Sequence, residues 1–119
     1  MAYVEYTDYP LARVFEDPDI PSRYIALCDS ECTNMIIYDE ADESLTVLFE
    51  ARWRERRDFP YESYTYSPVS YDTFEEIVTD ENSIGAALNY KIIHTDLSNY
   101  ATYDRVSYED LDYYSDMAY

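Results

Sequence analysis

The chain predicts a small α+β fold: a three-stranded antiparallel β-meander with two helices packed on it, flanked by an irregular N-terminal arm and an acidic, Tyr-rich C-terminal extension. Three observations lead there. Short apolar runs bounded by acidic turns recur between Met35 and Tyr66. Apolar residues then recur at three and four positions behind polar capping residues, the period of a helix with one buried face. Prolines crowd the start, while tyrosines and acids crowd the end. The corresponding division is an arm over residues 1–33, a core over 34–95 and an extension over 96–119.

In chain order, Pro10, Pro18 and Pro21 interrupt any ladder or helix in the arm, and Glu16-Asp17-Pro18-Asp19 reads as an acidic turn. Met35-Ile36-Ile37-Tyr38 is a short apolar strand, Asp39 to Glu43 an acidic turn, and Leu45-Thr46-Val47-Leu48-Phe49 a second strand, which together predict a hairpin. Tyr61 to Tyr66 alternates aromatic bodies with small polar residues, as a third strand with one wet face does. Ser70 caps a helix over Tyr71 to Val78, with Phe74, Ile77 and Val78 on one face and acids opposite. Asn82 or Ser83 opens a second helix over Ile84 to Ile93. In the extension Ser107 stands three residues before Asp110, the spacing of a capping box, and predicts a short helix.

Composition narrows the function classes. The chain has 119 residues, 26 acids against 8 Lys and Arg, and a net charge of −18, so direct binding of nucleic acid or of an anionic membrane would be opposed by repulsion. Apolar residues make up 47%, enough for a core, but 16 of them are Tyr, whose hydroxyl wants water or a partner. No apolar run approaches the roughly 20 residues that span a bilayer, and Met1 to Pro10 has no basic n-region, so a cytoplasmic protein is expected.

No constellation predicts catalysis, and no cofactor is expected. Cys28-Asp29-Ser30-Glu31-Cys32 has one half of a zinc spacing without the second, and the flanking acids would keep both thiols protonated. His94 is the only histidine and follows an apolar run, where an exposed or capping side chain is the ordinary reading. One glycine and one lysine leave no phosphate loop. Four of the seven Arg lie between Arg52 and Arg57, and this patch reads either as a clamp on neighbouring acids or as a contact surface.

Ile36-Ile37-Tyr38-Asp39, then Leu45, Val47 and Phe49, then Tyr64-Thr65-Tyr66, Val69 and Tyr71, then Ser83-Ile84-Gly85 with Asn89 and Ile92 form an ordered pattern over residues 34–93. In this it resembles the KTSC domain, a small family found alone in bacteria and phages and appended to some lysyl-tRNA synthetases. The segment between Phe49 and Tyr64 is longer than the few residues the family places there. The pattern consists of core and turn residues, so the resemblance implies a small α+β fold and transfers no catalytic site. Gly85, the only glycine, is expected to permit close packing within its helix and not to bind a phosphate.

Acids interleaved with tyrosines on a rigid scaffold present negative charges with flat rings between them, which is what a nucleic-acid-binding channel is built to meet. The expected function is a non-enzymatic phage-type inhibitor, a DNA mimic whose partner is a basic nucleic-acid-binding protein of the host, such as a CRISPR effector or restriction enzyme. The expected contact residues are Asp72, Glu75, Glu76, Asp80 and Glu81 along the first helix and its exit, and Asp104, Tyr108, Glu109, Asp110, Asp112, Tyr113, Tyr114 and Asp116 in the tail. The competing reading is an acidic KTSC-type protein-binding module, virion-associated or from a salt-adapted organism, without mimicry.

Overall fold

The alternating apolar segments form strands that pair in sequence order, and the computed structural model describes them over residues 5–30, 33–50 and 60–106. They are β1 (Tyr6–Asp8), β2 (Ala12–Glu16), β3 (Arg23–Cys28), β4 (Thr33–Asp39), β5 (Ser44–Glu50), β6 (Tyr61–Tyr66) and β7 (Thr102–Val106). All seven lie in one antiparallel sheet, each beside its neighbour in sequence. Between β6 and β7 the chain leaves the sheet to form α1 (Tyr71–Val78) and α2 (Ile84–Leu88), then a π-helical turn over Asn89–Ile93 and a 3-10 turn over Asp96–Tyr100.

The three-stranded meander expected from sequence is therefore only the middle of a seven-stranded sheet, with β4 and β5 where the apolar runs place them and β6 where the Tyr61 to Tyr66 alternation does. The N-terminal arm is not irregular: it supplies β1, β2 and β3. Its prolines fall between strands, Pro10 between β1 and β2, and Pro18 and Pro21 between β2 and β3, so they punctuate turns and remove no ladder donor. Beyond the helices the chain returns to the sheet as β7, beside β6. The expected second helix also divides, because the α-helical pattern ends at Leu88 and continues as the π turn that carries Ile92 into the core.

Strand periodicity gives the sheet two faces. On one, Ala26, Ile36, Tyr38, Leu45, Val47 and Tyr66 meet Phe74, Ile77, Val78, Ile84, Leu88 and Ile92 from the helices. Burying Phe74 or Ile77 contributes about 1.5–3 kcal/mol each. The Phe74 ring stacks on Tyr38 at 5.0 Å, and the buried Tyr38 hydroxyl donates to the Val69 carbonyl at 2.7 Å. The opposite face holds a smaller cluster of Phe15, Ile25, Met35, Leu48 and Val106.

Local signals fix where the helices begin. Ser70 is extended, with ψ 156°, and its Oγ accepts the Thr73 amide at 3.2 Å; Ser83 does the same for the Ala86 amide at 3.1 Å. Antiparallel succession places the β2–β3 turn, the β4–β5 turn and the exit from β6 at one end of the sheet. Two backbone bonds join them, the Glu40 amide to the Ser22 carbonyl at 2.9 Å and the Val69 amide to the Glu43 carbonyl at 2.6 Å. The acidic turns and the start of α1 thus share one edge of the molecule.

Candidate functional site

Charge is unevenly balanced across this scaffold. The described residues include 19 Asp and Glu against Arg13, Arg23, Lys91 and Arg105, 4 cations in all, so 4 − 19 leaves −15. Arg13 pairs with Asp8 at 2.7 Å and Lys91 with Glu76 at 2.8 Å. Arg23 directs both Nε and Nη2 at Asp17 Oδ2, at 2.8 and 2.5 Å, and this pair is mostly buried.

The Asp17 pair belongs to the fold. Burial opposes its charge, but the Asp19 amide at 2.8 Å, the Arg23 guanidinium and the Ile20 amide at 3.2 Å outweigh that and hold its carboxyl below the ordinary range. Asp80 is structural in the same sense. Its Oδ1 accepts the Ser83 and Asn82 amides, both at 2.8 Å, which lowers its pKa and fixes the turn that presents the Ser83 cap.

These contacts sort the residues expected from sequence. Asp72 and Glu75 are exposed on the outer face of α1, and Glu81 is exposed just beyond it. Glu76 shares that face but is paired with Lys91, and Asp80 is committed to its turn. Asp104 is not part of this group: the register pairs it with Ser63, on the sheet face that the helices leave uncovered, where it lines a groove with Arg23 and Asp39. Tyr108, Glu109, Asp110, Asp112, Tyr113, Tyr114 and Asp116 lie outside the described residues, as do Arg52 to Arg57.

Sequence reading identified the acidic turns but did not count them as part of the site, and the fold brings them to it. Tyr24 and Tyr71 approach with ring centroids 5.3 Å apart. Burial raises the Tyr24 hydroxyl above its ordinary pKa, and Glu40 and Glu16 push the same way; the Tyr24 hydroxyl also donates to Glu40 Oε2 at 3.4 Å. At Tyr71 burial is again first, followed by Glu75, Tyr9, Glu40 and Asp72. Tyr38, beneath them, is pushed up to about 12 by burial, with Glu43, Glu40 and Asp39 adding to it. Acids from β2, the β4–β5 turn and α1 therefore converge on one tyrosine cluster. The signal available in sequence was the pairing of two acidic turns two strands apart, which antiparallel order sends to the same end of a sheet.

A groove of about 620 Å³ opens beside this cluster, lined by Glu5, Thr7, Tyr9, Val14, Glu16, Tyr24 and Tyr71 among others, and no Lys or Arg among the described residues lines it. Its lining comes from β1, β2, the β2–β3 turn, Tyr24 of β3 and Tyr71 of α1.

The reactive side chains do not gather into a catalytic set among the described residues. Cys28 is raised to about 12, and the cause is burial, not the neighbouring acids invoked from sequence. His94 is exposed at the end of the π turn. The described residues contain no cluster of His, Cys, Asp and Glu able to hold a metal, and no described helix is long and apolar enough to cross a membrane. No family model, curated protein or solved structure matches the chain.

Proposed function

We propose that this protein is a phage-type inhibitor, an acidic DNA mimic that occupies the nucleic-acid-binding channel of a host defence protein such as a CRISPR effector or restriction enzyme, in the host cytoplasm. The observation that carries the reading is the convergence of Glu16, Glu40, Asp72 and Glu75 on Tyr24 and Tyr71, beside a groove that no Lys or Arg among the described residues lines. The mechanism is competition without chemistry. Carboxylates on a rigid sheet edge stand where phosphates would, pair with the channel's Lys and Arg, and displace the counterions that DNA would displace. The phage origin rests on composition and on the KTSC resemblance.

The test is competition. The protein is mixed with a panel of purified nucleic-acid-binding proteins, with duplex and single strands, and with both together across a salt series. Complexes with one or more basic proteins are expected, displaced by duplex and weakened steeply as salt rises, because exposed charges are screened over about 8 Å at physiological ionic strength. Retention of nucleic acid by the protein itself, or a complex indifferent to competing duplex, would sink the reading.

A further inference from the structure

The groove beside α1 has walls of a particular kind. Tyr9, Tyr24 and Tyr71 are half-buried, so each ring is held by packing and still presents surface. Glu16 lies on the helix-bearing face of β2 directly opposite Tyr24 in the register, and Glu40 stands at the Tyr24 hydroxyl. Glu16 and Glu40 are exposed, and among the described residues neither carboxylate has a salt bridge.

The same chemistry is already used once within the chain. On the opposite face of β1 and β2, the Arg13 guanidinium lies 5.2 Å from the Tyr6 ring centroid while its Nε donates to Asp8 at 2.7 Å. A carboxylate and a tyrosine face together hold a planar cation there. The groove repeats that pair of groups with wider walls and without the arginine.

We propose that this groove seats an arginine side chain from the partner's nucleic-acid-binding surface, its guanidinium plane against Tyr24 and Tyr71 and its N–H groups on Glu16 in the groove and on Glu40, which stands outside the groove lining at the Tyr24 hydroxyl. The inference rests on the mimic reading and adds a preference: arginine, which is planar, weakly hydrated and able to stack, binds better than lysine, which is a strongly hydrated point charge. A surface of carboxylates alone would show a smaller preference, from bidentate pairing only, and would leave the tyrosine rings untouched.

The probes are a hexa-arginine and a hexa-lysine peptide, titrated into the full chain at physiological salt and followed by NMR of the tyrosine rings. Hexa-arginine is expected to bind about 10-fold more tightly than hexa-lysine and to shift the Tyr24 and Tyr71 ring resonances. The doubly exposed variant Glu16→Gln/Glu40→Gln, which keeps the fold's buried contacts, should lose about 10-fold for hexa-arginine and most of the preference. Equal binding of the two peptides, unmoved Tyr24 and Tyr71 resonances, or a double variant that binds like the parent would each overturn the assignment. If that variant still competes with duplex for a basic protein as the parent does, the groove assignment falls and mimicry stands. If hexa-arginine seats in the groove but no nucleic-acid-binding protein is competed, the groove stands and mimicry falls.

Discussion

Gly85 occupies the second position of α2, and a Cβ built there would meet only Ser83 Oγ, at an ordinary 3.8 Å. The close packing expected of it is absent, so its main effect is the entropy an unfolded glycine holds. Gly85→Ala should raise stability by about 0.4–1 kcal/mol, read as a higher denaturant midpoint with an unchanged slope; a lower midpoint would show that the position needs its hydrogen. Glu43 presents the reverse case. It closes the β4–β5 turn with φ 51°, in the left-handed region that a side chain disfavours by about 1–2 kcal/mol, and Ser22 does the same in the β2–β3 turn with φ 64°. Glu43→Gly should gain about 1 kcal/mol net of glycine's extra unfolded entropy, whereas Glu43→Ala, equally strained, should not gain from backbone relief. Equal midpoints for the two variants would show that charge removal, not conformation, accounts for any gain. These positions mark a limit of sequence reading: a turn that usually advertises itself with Gly or Asn is here built from Ser and Glu, so its location was legible from acidity but its geometry was not.

At the scale of elements, α1 has an outward face whose acids perform different tasks. Asp72 lies in the first turn, where its charge complements the helix dipole. Asp80 ties down the amides ahead of α2, while the Glu75 and Glu81 side chains have no hydrogen bond or ion pair among the described residues. Neutralising all the acids expected there as contacts would therefore mix structural loss with loss of binding. Asp80→Ala should lower the melting temperature, because two amides lose their acceptor and the Ser83 cap loosens. Glu75→Gln/Glu81→Gln should leave melting equal or higher and still weaken partner binding. A double variant that both melts early and binds normally would show these carboxylates to be structural. The helix starts were legible because Ser70 and Ser83 act through local hydrogen bonds that sequence spacing encodes. The β4–β5 hairpin was legible as two apolar runs on either side of an acidic turn. By contrast β3 was hidden: Ile25 and Ala26 are buried on opposite faces, so Tyr24-Ile25-Ala26-Leu27-Cys28 shows no alternation, and the prolines on either side of β2 suggested breaks in a ladder where they mark its turns.

At the scale of the molecule, the tyrosines that make the acidic edge chemically distinctive also set its response to pH. Tyr24, Tyr38, Tyr66 and Tyr71 all have hydroxyls raised above the ordinary value of 10.0, and the Cys28 thiol is raised from 9.0 to about 12, in every case with burial as the first cause. Each group is neutral when protonated and holds its proton more tightly folded than unfolded. The unfolded chain thus releases protons first as pH rises, and the stability these groups contribute is complete below about pH 9 and lost as pH climbs toward 12. Each proton lost by the unfolded chain and kept by the folded one gives a slope of about 1.4 kcal/mol per pH unit. Denaturant midpoints should be flat from pH 7 to about 9 and then fall steeply, with the ring signals of Tyr24, Tyr38, Tyr66 and Tyr71 turning to tyrosinate together with unfolding and not before it. Salt separates the two sources of this behaviour. At neutral pH added salt should raise the melting temperature by screening the repulsion of a −18 chain. The alkaline decline should persist at about 1 M salt, because desolvation of a buried hydroxyl is not screened by ions outside it. A decline that vanished in salt would mean that the carboxylates around Tyr24, Tyr38 and Tyr71, and not their burial, hold those protons in place.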